Sequence, residues 1–149
     1  MRQAIRYFLF ILCIFSQQGF AGDAVYQKDG VAIGGYDPVI YHRMQKAGKG
    51  DSRYAYRWNN SSWHFTSVSN RELFAADPEK YAPRYGGFCA YAASKGALAP
   101  TDPQAWTIKD NRLYLNYSTA IRSKWREDID DNIALANKNW SGLSGLEVN

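Results

Sequence analysis

Residues 54–65 read YAYRWNNSSWHF. Tyr54, Tyr56 and Trp58 recur with a period of two, Asn59–Ser62 carries turn chemistry, and Trp63 and Phe65 resume the alternation. Successive side chains of a strand point to opposite faces, so this pattern predicts a β-hairpin with one aromatic face. His64 falls between Trp63 and Phe65 and is expected on the opposite, solvent side.

Working outward, a second hairpin is expected around a turn at Lys109–Asn111, where Trp106 and Ile108 alternate before it and Leu113 and Leu115 after it. Between the hairpins, Ser69 and Glu72 have the spacing of a capping box, which predicts a short helix over 70–76. Asp77-Pro78 reads as an N-cap followed by proline at the first helical position. The stretch YGGFCAYAASKG, residues 85–96, is expected to turn helical after its glycines and to stop at Gly96. Upstream, GVAIGGYDPVIYH, residues 30–42, reads as a turn feeding a short strand over Val39–Tyr41. Downstream, Ile121 and Trp125, then Ile133, Ala136 and Trp140, recur at helical spacing, with EDIDDN dividing two helices. The class is therefore α+β: one small domain of antiparallel β-hairpins packed with short helices and a C-terminal helical segment.

The chain opens MRQAIRYFLFILCIFSQQGFAGD. Arg2 and Arg6 precede an apolar run, Tyr7–Phe15, and small residues Ala21 and Gly22 follow. This is the layout of a secretory signal peptide, and the run is far shorter than the roughly 20 residues that span a bilayer. The expected organisation is a cleaved signal over 1–21, a domain over 22–142 and a flexible tail over 143–149, in a periplasmic or secreted protein with no stable membrane insertion after cleavage. The full chain carries 18 Lys and Arg against 14 Asp and Glu. Loss of Arg2 and Arg6 lowers the net charge from +4 to +2, and no basic run remains to suggest a nucleic-acid partner. Cys13 leaves with the signal, so Cys89 becomes the single cysteine. In an oxidising compartment a lone thiol must be buried, liganded or reactive.

GGYDPVIY, YRWNNSSWHFTSVSNRELFAADPEKYAPRYGGFCAYAASKG, DPQAWTIKDNRLYLNY and DNIALANKNW together resemble the YHS-domain family, and most closely its small exported bacterial members. The resemblance covers nearly the whole mature chain in motif order. It implies the YHS fold and kinship with a wider, TRASH-like group of metal-associated modules. Metal-binding versions carry cysteines after Asp-Pro-Val and in a Phe-Cys-Ser-x-x-Cys pattern. Here those positions hold Ile40, Thr66 and Asn70, so the chain has the scaffold without that ligand set.

Three chemistries remain open for Cys89. It can pack as a small hydrophobe among Phe88, Ala90, Ala92 and Ala93. It can act as a thiol at a helix start, near Arg84, in a redox protein or enzyme. It can bind a soft metal, copper above all, with His42, His64 and Met44 as partners, since sulfur with imidazole suits that ion. A separate expectation is an aromatic-lined site for a small ligand or a protein partner, built from Tyr56, Trp58, Trp63, Tyr91 and Trp106. The competing reading of those rings is plain core. Neither histidine sits in a recognisable motif and no G-x-S-x-G elbow occurs, so the sequence assembles no catalytic set.

Overall fold

The computed structural model describes residues 23–146. The expected signal segment and the last residues of the expected tail lie outside the described residues. Within them the chain forms six α-helices and three two-stranded antiparallel sheets, the α+β architecture expected.

The central hairpin pairs β3 (Asp51–Trp58) with β4 (Ser61–Phe65), and Tyr56 lies directly opposite Trp63. Asn59 and Asn60 both take left-handed backbone, with φ of 51° and 57°. That pair of angles gives a two-residue turn whose twist matches the flanking strands. Trp63 and Phe65 are buried and the β3 aromatics are half-buried, so the aromatic face is the core face. The second hairpin, β5 (Asp102–Lys109) with β6 (Arg112–Asn116), turns in the same way at Asp110 and Asn111. A third, β1 (Gln27–Lys28) with β2 (Val31–Ala32), is two residues per strand, too short to show a period in sequence.

Residues 38–44 depart from expectation. They form helix α1 (Pro38–Met44), not a strand. The β-branched pair Val39-Ile40 favours a strand locally. Asp37 overrides that preference, because its side chain accepts from the Val39 and Ile40 amides and caps the helix, while Pro38 supplies the first helical φ. The next helix, α2 (Val68–Ala76), starts earlier than the Ser69–Glu72 spacing predicts: Ser67, not Ser69, caps it through Asn70 N. Helix α3 (Pro78–Tyr81) is capped by Asp77, and the short α4 (Ala90–Ser94) follows Cys89 and precedes Gly96. The C-terminal helices are α5 (Thr119–Glu127) and α6 (Ile129–Leu143), broken at Asp128. Leu143, placed by sequence in a flexible tail, is buried at the end of α6, and the Ser144 carbonyl accepts from Ala24 N.

Two apolar clusters result. Phe74 anchors the first, its ring within 5.1–6.2 Å of Tyr56, Trp58, Trp63 and Phe65. Tyr85, Tyr114 and Trp125 anchor the second, under α4 and α6. Strand β6 serves both: Leu113 and Leu115 face the first cluster, while Tyr114 between them faces the second. A strand buried on both faces explains why a two-fold apolar pattern finds only one of its two buried sets.

Candidate functional site

A cleft of about 350 Å³ opens at the border of the two clusters. Trp58 and Trp63, at the turn end of the central hairpin, form one wall. Arg84, Tyr85 and Gly86 form another, Arg112 enters from β6, Trp140 from α6 and Glu79 from α3. Asp23 and Val25 complete the rim. The volume falls within the range of small-molecule sites, about 300–1,000 Å³.

The Arg84–Gly86 wall has a specific local cause. Tyr85 and Gly86 are both left-handed, with φ of 57° and 60°, and Phe88 N donates back to the Tyr85 carbonyl. Such a conformation at a bulky residue persists only when its surroundings hold it. Here the Tyr85 ring packs 6.0 Å from Tyr114 and 5.8 Å from Trp140, and its hydroxyl donates to Asn137 Oδ1 at 3.0 Å. Burial, with Tyr114 adding to it, pushes the Tyr85 phenol well above the ordinary tyrosine range, so it stays a donor.

The two guanidiniums of the cleft are held by neutral groups. Arg84 lies 5.9 Å over the Tyr85 ring and reaches Asn137 Oδ1 at 3.5 Å. Arg112 Nη1 donates to the backbone carbonyl of Glu79 at 3.4 Å, not to its carboxylate. Among the described residues, the ion pairs are Arg53–Asp51, Arg71–Glu72 and Lys109 with Asp110 and Asp130. Both cleft arginines, and the carboxylates of Glu79 and Asp23, stand outside them.

Of the expected ligand-site residues, Trp58 and Trp63 line this cleft. The others are placed elsewhere. Tyr56 packs edge-on to Phe74, Trp106 tilts against Tyr41 at 5.7 Å, and Tyr91 lies under the ammoniums of Lys95 and Lys124 at 5.0 and 5.9 Å. Sequence reasoning missed Arg84, Tyr85, Arg112 and Trp140. Arg112 follows a turn and Arg84 precedes a Gly pair, and neither position carries a local signal that the two meet.

The four expected metal ligands are not brought together, and among the described residues no three His, Cys, Asp or Glu side chains cluster as a metal site. Met44 is 57% exposed on α1. His42 sets Nε2 3.3 Å from the Tyr81 carbonyl, so that nitrogen carries the proton and donates. Burial holds the His42 imidazole below the ordinary histidine range, with the Tyr81 carbonyl pulling the other way. His64 is half-buried on β4, beside Gly35, rather than fully solvent-facing.

Cys89 is 2% exposed. Its Sγ accepts from Tyr117 N at 3.3 Å and donates to Asn116 Oδ1 at 3.4 Å; Asn116 Oδ1 also accepts from Tyr91 N. The thiol thus ties the end of β6 to the start of α4. Native Cys89 is expected to react with maleimide more than about a hundredfold slower than in denaturant, because labelling must await local opening. Equal rates in both conditions would show an accessible thiol and defeat this assignment.

Ile40, Thr66 and Asn70 converge on one group. Ile40 N, Thr66 and Asn70 all reach the carboxylate of Asp37, which is fully buried. Val39 N and Ile40 N bond Oδ1 at 2.8 and 3.3 Å; Thr66 N, Thr66 Oγ1 and Asn70 Nδ2 each bond Oδ2 at 2.8 Å. A carboxylate offers about four lone-pair sites. Five donors saturate it, so the group acts as a strut joining α1, β4 and α2.

Comparison with protein-family models, curated proteins and solved structures returns no match.

Proposed function

We infer that the protein is an exported YHS-type binding module whose cleft takes a small polar ligand with a flat body and an anionic group. The observation that carries this reading is the pairing of aromatic walls, Trp58 and Trp140, with two guanidiniums that have no carboxylate partner among the described residues. Guanidiniums bind planar anions through paired N–H donors, and aromatic faces take flat apolar groups. The resemblance in motif order to small exported YHS proteins and the signal-like residues 1–21 support the location. Cys89, buried and hydrogen-bonded to Asn116 and Tyr117, acts in this reading as a structural residue.

Benzoate, an aromatic carboxylate, is the simplest probe. Titrated into the mature protein, it is expected to perturb the fluorescence of the cleft tryptophans. Arg112→Ala is expected to weaken it by about tenfold, the worth of one charged hydrogen bond. Arg112 is solvent-exposed on β6, so the variant should melt with the wild type. No saturable response to benzoate or to the amino-acid probe below would overturn the reading.

A further inference from the structure

Glu79 and Arg112 stand side by side in the cleft yet do not form an ion pair. Arg112 is anchored on the Glu79 backbone carbonyl, which fixes the two residues as neighbours while leaving the carboxylate free. Asp23, on the same rim, also lacks an ion-pair partner among the described residues; its backbone carbonyl accepts from Asn59 Nδ2 at 2.8 Å. Arg84 is likewise occupied by an aromatic face and an amide oxygen. Two positive and two negative side chains therefore line one small cleft without neutralising one another.

A purely anionic ligand would satisfy the arginines but would be repelled by Glu79 and Asp23. A purely cationic ligand would meet the reverse problem. Groups of opposite sign left unpaired on one small site match a molecule that carries both charges a short distance apart. Resting on the binding-module reading, we propose that the cleft recognises an amino-acid-like zwitterion. Its carboxylate lies on Arg84 and Arg112, its ammonium faces Glu79 and Asp23, and a flat apolar side chain rests against Trp58 and Trp140. Charge complementarity of this kind selects by penalising the wrong partner as much as by attracting the right one, since each missing ligand charge leaves a protein charge facing its own sign.

The test uses L-phenylalanine, N-acetyl-L-phenylalanine and L-phenylalaninamide, each titrated calorimetrically into the mature protein. The zwitterion is expected to bind about tenfold more tightly than either blocked form, one decade for each lost charged contact. Glu79→Gln should abolish the preference over the N-acetyl form while leaving N-acetyl-phenylalanine binding unchanged or tighter. If the N-acetyl form and benzoate bind as well as phenylalanine, the zwitterion proposal falls and the binding-module reading stands. If none of the four probes binds, both fall. Glu79 is exposed, so its variant tests the ligand rather than the fold.

Discussion

Asp37→Ala is expected to destabilise the domain by about 3–5 kcal/mol, the scale for stripping a buried charged partner from its donors. The loss is concentrated because one fully buried carboxylate serves three elements: the α1 amides, Thr66 at the end of β4, and Asn70 on α2. Removal leaves five donors facing a cavity. Three of them, Val39 N, Ile40 N and Thr66 N, are backbone amides that cannot rotate away, and each buried donor without an acceptor costs about 1–3 kcal/mol. Asp37→Asn preserves the volume but turns an NH₂ toward donors already aimed at that site, either Asn70 Nδ2 and Thr66 N or the α1 amides. It is expected to cost about 2 kcal/mol, within the penalty for one orphaned donor pair. Urea unfolding followed by tryptophan fluorescence reads both. With total stabilities of about 5–15 kcal/mol, the alanine variant should show a markedly lower midpoint or no folded baseline. An alanine variant within about 1 kcal/mol of wild type, the worth of a single ordinary hydrogen bond, would mean that the network is dispensable.

The same residue shows where the sequence is legible and where it is not. The two longer hairpins are readable because alternation is a local signal, and the Asn59-Asn60 and Asp110-Asn111 turns carry their own backbone preference. Asp37-Pro38 is also a local signal, but an ambiguous one: it starts turns and it caps helices. What decides for the helix is the approach of Thr66 and Asn70 from 29 and 33 residues away, which fixes the carboxylate where it can cap. The cleft is less legible still. Trp58 and Trp63 stand out as aromatics on a hairpin, so they were expected at a site. Tyr91 and Trp106 stand out equally, yet they pack against the second and first clusters. Arg84 and Arg112 become a pair only because the Tyr85–Gly86 turn and the start of β6 fold to one cleft. Cys89 had three open chemistries, and its partners Asn116 and Tyr117 lie 27 and 28 residues further along the chain.

Gly86→Ala is expected to disable the cleft and destabilise the fold together. Gly86 sits at φ 60°, where an L side chain costs about 1–2 kcal/mol. Space is the larger obstacle. A Cβ there would overlap the Ala24 carbonyl oxygen and approach Val25 Cα to 3.2 Å. These are backbone atoms, so no rotamer change relieves the contact. The segment they belong to is held on both sides: Tyr26 N donates to the Gly86 carbonyl at 2.9 Å, and Ala24 N donates to the Ser144 carbonyl at 3.0 Å. The methyl must push this segment off, breaking those bonds at about 1 kcal/mol each and removing Asp23 and Val25 from the rim. The combined loss is about 3–4 kcal/mol. Phenylalanine binding should fall by more than about tenfold, as expected for losing an acidic contact and a wall. Gly30→Ala is the matched control. Gly30 is also left-handed, at φ 74°, but a Cβ there meets nothing within 4 Å. It should cost only about 1–2 kcal/mol, the conformational part alone, and leave binding intact. Hydrogen exchange separates the two outcomes, because the Ala24 and Tyr26 amides should lose protection in Gly86→Ala and keep it in Gly30→Ala. Equal protection and equal affinity in both variants would mean that the amino-terminal segment does not build the cleft, since the two glycines differ only in what lies above them.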